Sequence, residues 1–159
     1  MQLIIIGVGR LKEKPYRQMA DEYLKRLSRF AKMEEIEIPD LSEPEHSSPA
    51  LEKQLKDREG AGILQKLRPT DHVIALAIDG VMRSSEETAR VLEKRMATVN
   101  GRLVFVLGGS LGLSDDVLAR ADEKWSMSPM TFPHQLARVM LLEQLYRSMK
   151  ILAGERYHK

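Results

Sequence analysis

Apolar and polar positions in this chain keep two rhythms, and the rhythms alternate. Leu3–Val8 is a continuous apolar run, as in a strand buried on both faces. After Pro15, the residues Tyr16, Met19, Ala20, Tyr23, Leu24 and Leu27 recur at helical spacing. Met33–Ile38 alternates and predicts a second strand. Pro39–Pro49 gathers prolines and serines and predicts a loop, the most mobile stretch of the chain. Leu51–Leu67 predicts a charged helix whose later turns Gly60 and Gly62 should weaken. Val73–Ile78 predicts a third strand ending in a turn at Asp79-Gly80. Ser84 with Glu87 forms a capping box for the helix that follows. Leu103–Leu107 predicts a fourth strand, closed by the turn Gly108-Gly109-Ser110-Leu111-Gly112. Ser114 caps a short helix with Asp115 and Asp116 in its first turn, where the helix dipole favours carboxylates. Lys124–Ser128 predicts a fifth strand. A last helix runs to about Leu152, with Pro133 in its first turn and Thr131 as its expected cap.

Five strands each followed by a helix predict an α/β fold, a mostly parallel sheet with helices on both faces. The 159 residues suit one domain spanning the whole chain. Such sheets bind ligands beyond the carboxyl ends of their strands. Those ends are Leu76–Asp79, Leu107–Gly109 and Ser126–Pro129, and all three are unusual in composition.

Composition narrows the chemistry. There is no cysteine, which removes disulfides, thiolate metal sites and any mechanism that begins with a cysteine adduct. His46, His72, His134 and His158 show no metal-binding spacing, so no metal is expected. The apolar start lacks a cationic leader, and no run approaches the roughly 20 residues a membrane span needs. A cytoplasmic protein without membrane contact is expected. Net charge is +2, unevenly spread. Eight Lys/Arg face three acids between Arg10 and Lys32, and three face nine between Met33 and Gly60. A basic patch attracts phosphate backbones or is simply a solvated helix face.

The glycine turn after Leu107 lets main-chain groups approach a flat ring, or serves only the sterics of a strand-to-helix turn. No GxxxxGK[ST] and no GxGxxG is present, so neither phosphate cradle exists. A nucleoside ligand without phosphates suits the turn better, and S-adenosyl-L-methionine is the commonest such cofactor. Met127–Phe132 forms a second wall. Pro129 and Pro133 carry no amide, the amides of Met130 and Thr131 stay free, and Met127, Met130 and Phe132 are apolar enough to enclose an adenine.

The last helix is apolar nearly all round. Val139, Leu141, Leu142, Leu145, Tyr146, Met149 and Leu152 cover one face, and Leu136, Met140 and Ile151 lie opposite. Burial on both sides in so small a chain points to a second copy. Arg138 interrupts the main apolar stripe and needs an anionic partner, either a structural carboxylate or the substrate. Glu143 and Arg147, spaced i,i+4, read as a supporting ion pair. Gly154 stops the helix. The tail Tyr157-His158-Lys159 is either a plain chain end or an aromatic, an imidazole and a cation placed for a nucleotide.

FVLGGSLGLS, SMSPMTFPHQLARVMLLEQLYRSMKI and the terminal YHK together resemble the ribosomal large-subunit methyltransferase H family, the small single-domain branch of the SPOUT methyltransferases. The resemblance covers the whole chain. It implies the SPOUT (α/β knot) fold with a C-terminal trefoil knot, whose loops bind S-adenosyl-L-methionine. Carried over by position, cofactor contacts fall at Leu76, Gly108, Gly109, Met127, Ser128, Pro129, Met130, Thr131 and Phe132. It further implies a homodimer that methylates N3 of a pseudouridine in 23S rRNA of the assembled ribosome. In that setting Tyr157 and His158 of one protomer would complete the other's site. Arg138 would hold a substrate phosphate or base carbonyl, and His134 would assist or merely cap its helix. The alternatives are a tRNA methyltransferase of the same fold, or a ribosome-associated binding module without turnover.

Overall fold

The computed structural model describes residues 1–159. Ten elements follow the expected order: β1 (Gln2–Val8), α1 (Lys14–Leu27), β2 (Lys32–Ile38), α2 (Pro49–Leu64), β3 (His72–Met82), α3 (Ser85–Thr98), β4 (Leu103–Leu107), α4 (Asp115–Arg120), β5 (Glu123–Ser126) and α5 (His134–Leu152). The five strands pair in parallel in the order β2-β1-β4-β3-β5. This puts β1, β4 and β3 inside the sheet, and these are the strands with the longest apolar runs.

Alternate residues of each inner strand feed opposite cores, as the pleat requires. Leu3, Ile5, Ile74, Leu103 and Phe105 join the larger cluster, with residues of α1, α3 and α5. Ile4, Ile6, Val73, Ala75, Val104 and Val106 join the smaller one, with Ile63 of α2 and Val117 of α4. Helices therefore cover both faces. Each fully buried Leu or Ile contributes about 1.5–3 kcal/mol relative to exposure.

The local rules held at the caps. Ser84 and Glu87 form the full capping box, and Ser114 and Ser48 each accept an amide at their helix starts. Other expectations need correction. Pro133 itself is the N-cap position of α5, with extended ψ of 136°, and Thr131 does not cap it. Asp79-Gly80 does not end the strand but lies in a bulge, Ala77–Gly80, since Leu76 and Val81 both pair with Trp125 and β3 then resumes to Met82. Its register shifts between Leu76 and Val81, so Val81 and Met82 pair with Trp125 and Ser126. Gly80 permits this, since a Cβ there would lie 2.6 Å from the Trp125 carbonyl carbon. The fifth strand stops at Ser126, which leaves Met127 and Ser128 in the following loop. Gly62 does more than weaken a helix, for a Cβ on it would lie 2.9 Å from the Ile38 side chain; it lets α2 sit close on the sheet.

Candidate active site

The carboxyl ends of β3, β4 and β5 open into one cleft of about 700 Å³, within the range of small-molecule sites. Three segments wall it. Leu76, Ala77 and Ile78 come from β3. Residues 107–112 form the glycine turn after β4. Residues 125–134 run from β5 to the start of α5. Of the nine expected cofactor contacts, Leu76, Gly108, Gly109, Met127, Ser128, Met130, Thr131 and Phe132 line this cleft together. Pro129 sits in the same loop without lining it.

The glycines shape the floor. A Cβ at Gly108 would approach the Gly112 carbonyl oxygen to 2.7 Å, so the turn folds back on itself only with glycine there. Gly112 has φ of 81°, the left-handed region that glycine tolerates. Gly112 N–H donates to the Gly109 carbonyl at 3.1 Å, closing the turn. In the opposite wall the expectation of two free amides is half corrected. Met130 N–H donates to Ser128 Oγ at 3.0 Å, because the serine hydroxyl folds back over the loop. Thr131 N–H has no acceptor within the chain. Met130, at 70% exposure, stands at the rim.

Trp125 was not singled out in the sequence, yet it walls both this cleft and a second one of about 340 Å³. The second cleft is also lined by Arg83, Ser85, Thr88, Met140 and Gln144. The indole is held on three sides. Its N–H donates to Glu123 Oε2 at 3.0 Å, Phe105 packs edge-on with centroids 5.6 Å apart, and the Arg83 guanidinium lies 5.4 Å over the ring. Glu123 in turn meets His72 Nε2 at 2.8 Å and accepts from Arg95. Burial works to raise the Glu123 carboxyl. The donors Trp125, Arg95 and His72 outweigh it and hold the group below the usual carboxylate range. The only hint in the sequence was a lone tryptophan within the short fifth strand.

Of the four residues expected to act on substrate, only His134 reaches the cleft, at the first turn of α5. Its Nε2 lies 3.4 Å from where a Gly9 Cβ would stand, so the glycine leaves room for the ring. Arg138 is 1% exposed. Its Nη1 donates to Glu35 Oε1 at 3.1 Å and Glu37 Oε1 at 3.0 Å, and its Nη2 to the Gly9 carbonyl at 2.6 Å. Its Nε is buried without a partner. Arg17 shares both carboxylates, bonding Glu35 at 2.6 Å. The anionic partner that the stripe demanded is thus present on β2.

Tyr157 and His158 pack on their own chain. Tyr157 sets its ring edge-on to Tyr146 with centroids 4.9 Å apart, and its hydroxyl donates to Glu143 Oε1 at 3.1 Å. Arg147 lies over the same ring at 4.8 Å. Burial, with help from Tyr23 and Glu143, pushes the Tyr157 phenol well above its ordinary value, so here it is a neutral donor. His158 Nε2 lies 2.7 Å from Glu86 Oε1, and its Nδ1 lies 3.3 Å from Arg147. α5 has 19 residues, a rise of about 28 Å. The tail packs along its carboxyl half and the cleft opens at its first turn, so one chain does not bring the two together.

Comparison with known proteins agrees with the architecture. The family model described as Predicted SPOUT methyltransferase matches residues 1–158. The chain is 52% identical to ribosomal RNA large subunit methyltransferase H of Alkaliphilus oremlandii, 51% to that of Shouchella clausii and 52% to that of Bacillus pumilus. Each of these alignments covers 100% of both chains. Among solved structures, a probable methylase family protein from Haemophilus influenzae Rd KW20 superposes with a TM-score of 0.52 at 13% identity. That match covers 99% of this chain and 70% of the other, and it speaks for the fold alone. A five-stranded parallel sheet with its cleft at the carboxyl edge, matched end to end by these relatives, places the chain in the SPOUT methyltransferase family, among the ribosomal RNA large subunit methyltransferase H proteins.

Proposed function

We propose that this protein transfers a methyl group from S-adenosyl-L-methionine to N3 of a pseudouridine in 23S rRNA of the assembled ribosome, and that it acts as a homodimer. One observation carries the reading most: eight residues that the family resemblance implies as cofactor contacts, drawn from three separate segments, line a single cleft of about 700 Å³. The full-length relatives, named as ribosomal RNA methyltransferases, supply the substrate class.

The residues fit the proposed cofactor. Gly108 and Gly109 bring bare main chain to the floor, Leu76 and Phe132 offer apolar faces for a purine, and the unpartnered Thr131 N–H can donate to a ring nitrogen. No phosphate cradle is needed, and none is built. When bound, S-adenosyl-L-methionine supplies an electrophilic methyl on a sulfonium. The protein's task is then to bring N3 within about 3–3.5 Å of that carbon, in line with the departing sulfur. The N3 proton must also leave, and His134 is the one histidine that lines the cleft.

The homodimer rests on exposed apolar residues around the clefts. Ile78, Val81, Met82 and Met130 are all more than half exposed. Leu136, Met140 and Ile151 of α5 are left half-buried by their own chain. A second copy over this surface would bring its own Tyr157 and His158 towards the partner's cleft, which neither tail reaches alone. There Tyr157 would stack on the base and His158 would bond it. Arg138, buried and bonded to Glu35, Glu37 and the Gly9 carbonyl, holds α5 against β1 and β2.

Removing Tyr157–Lys159 tests the composite site. S-adenosylhomocysteine should bind as before, while methyl transfer to ribosomes lacking the modification falls at least a hundredfold. Undiminished turnover would take the tail out of the mechanism. Incorporation into tRNA instead of ribosomes would replace the substrate.

A further inference from the structure

The methyl-transfer reading leaves one segment beside the cleft without a task. This is the loop between β1 and α1, Gly9-Arg10-Leu11-Lys12-Glu13, together with Lys14. We propose that this loop is a docking ridge that grips the phosphate backbone of the RNA substrate next to the cleft. The inference rests on the rRNA methyltransferase reading above and adds the surface on which the RNA lies.

The loop is held rigidly at the cleft mouth. Gly9 has φ of 86°, a conformation side chains rarely adopt, and it reverses the chain as β1 ends. Gly9 N–H donates to the Ile38 carbonyl at 2.7 Å, and its carbonyl accepts from Arg138 at 2.6 Å. Leu11 is buried in the larger core. Glu13 N–H donates to Gln135 Oε1 at 3.3 Å. Gln135 neighbours His134, which lines the cleft. Every fixed point is thus on the backbone or on Leu11, and the cations between them are left to solvent.

Charge then separates this loop from its surroundings. Arg10, Lys12 and Lys14 are all exposed and none forms an ion pair, whereas Arg17, the next cation, is shared among Asp21, Glu35 and Glu37. Two carboxylates stand close to the ridge, the exposed Glu13 within it and Asp40, whose Cγ lies 3.7 Å from where a Gly9 Cβ would stand, and neither forms an ion pair with its three cations. A fold gains little from three unpaired cations on one short, immobilised loop. A polyanion gains counter-ion release from each contact, and the loop is ordered before binding, so little conformational entropy is lost. A rigid row of point charges is suited to phosphates and reads no base, which leaves base choice to the cleft.

The test uses the full chain and ribosomes lacking the modification, with retention on ribosomes measured against KCl. Three phosphate contacts should contribute about 2 to the slope of log affinity against log salt, taking roughly 0.7 for each. The triple variant R10A/K12A/K14A should therefore bind more weakly at low salt with a slope shallower by about 2. Its ratio to wild type should close by roughly twentyfold over a fourfold rise in salt. The control K53A/R58A/K66A removes the same charge from the region of α2 and should keep the wild-type slope. A parallel titration of each variant with S-adenosylhomocysteine should show unchanged affinity. A triple variant with the wild-type slope, or a control whose slope falls as far, overturns the ridge. Failure of wild type to bind S-adenosylhomocysteine would instead sink the methyltransferase reading, so the two failures are told apart.

Discussion

Arg138 offers the sharpest test of how the site is held. Its guanidinium is buried against β1 and β2, bonded to Glu35, Glu37 and the Gly9 carbonyl. It also lies flat on Gly7, where a Cβ would stand 2.6 Å from Arg138 Cζ. Arg138→Ala leaves two carboxylates with Arg17 as their remaining partner and opens a cavity. Breaking a buried pair costs about 3–5 kcal/mol, and the surviving Arg17 contact places this case near the lower end, about 3 kcal/mol. For a chain of this size that lowers Tm by roughly 6–12 °C. Gly7→Ala alone forces the guanidinium out of place and should cost about 1–3 kcal/mol by overpacking. In the Arg138→Ala background the clash is gone, so Gly7→Ala should then cost under about 1 kcal/mol. A urea-denaturation double-mutant cycle reads the coupling directly. Additive costs, or an Arg138→Ala protein of full stability whose methyl transfer has collapsed, would refute the structural role and return Arg138 to the substrate.

Three further outcomes follow. Asp71 is buried and accepts from Arg102 at 2.6 Å. Burial alone would raise its carboxyl, but the Arg102 and Arg68 donors win and depress it. Its folded value lies below the unfolded one, so its stabilisation is present at neutral pH and is lost as pH falls from about 4; Asp71→Asn should erase that part of the acid transition in a pH series of thermal melts. Glu59 is shifted the other way: burial raises its carboxyl. Its folded value lies above the unfolded one, so its contribution is best below the unfolded value and is lost as pH rises through the folded one. Glu59→Gln should therefore gain on wild type between pH 4 and pH 7, and an equal difference at both pH values would contradict this. Trp125 is the only tryptophan and walls the cleft. Its fluorescence should change on addition of S-adenosylhomocysteine, and Glu123→Gln, which loosens the indole, should alter the free-state spectrum; silence in both would remove Trp125 from the wall.

The sequence carried the strand order of apolar runs, the caps and the three strand ends, because each depends on short-range chemistry. Pleat, capping and glycine turns are read within a few residues. What it hid depends on distant partners. The extension of β3 past Gly80 is decided by the β5 backbone, and Trp125 becomes a wall only once β3 and β5 pair. The apolar stripe of α5 demanded an anion for Arg138 but could not say that Glu35 and Glu37 supply it from a strand a hundred residues away. Ser128 took the Met130 amide through a rotamer that no pattern encodes. The packing of Tyr157 and His158 on α5 and Glu86 was likewise out of reach, since chain ends seldom carry such contacts.

The central claim is that the cleft floored by Gly108 and Gly109 binds an adenosyl methyl donor. Isothermal titration of the purified protein with S-adenosylhomocysteine measures it most directly, with Gly108→Val as the comparison, since that side chain would drive into the Gly112 backbone. Saturable heat at one equivalent per chain, abolished by Gly108→Val while the fold survives, is the predicted result. An absence of heat at millimolar ligand, or wild-type binding by the valine variant, would contradict the account.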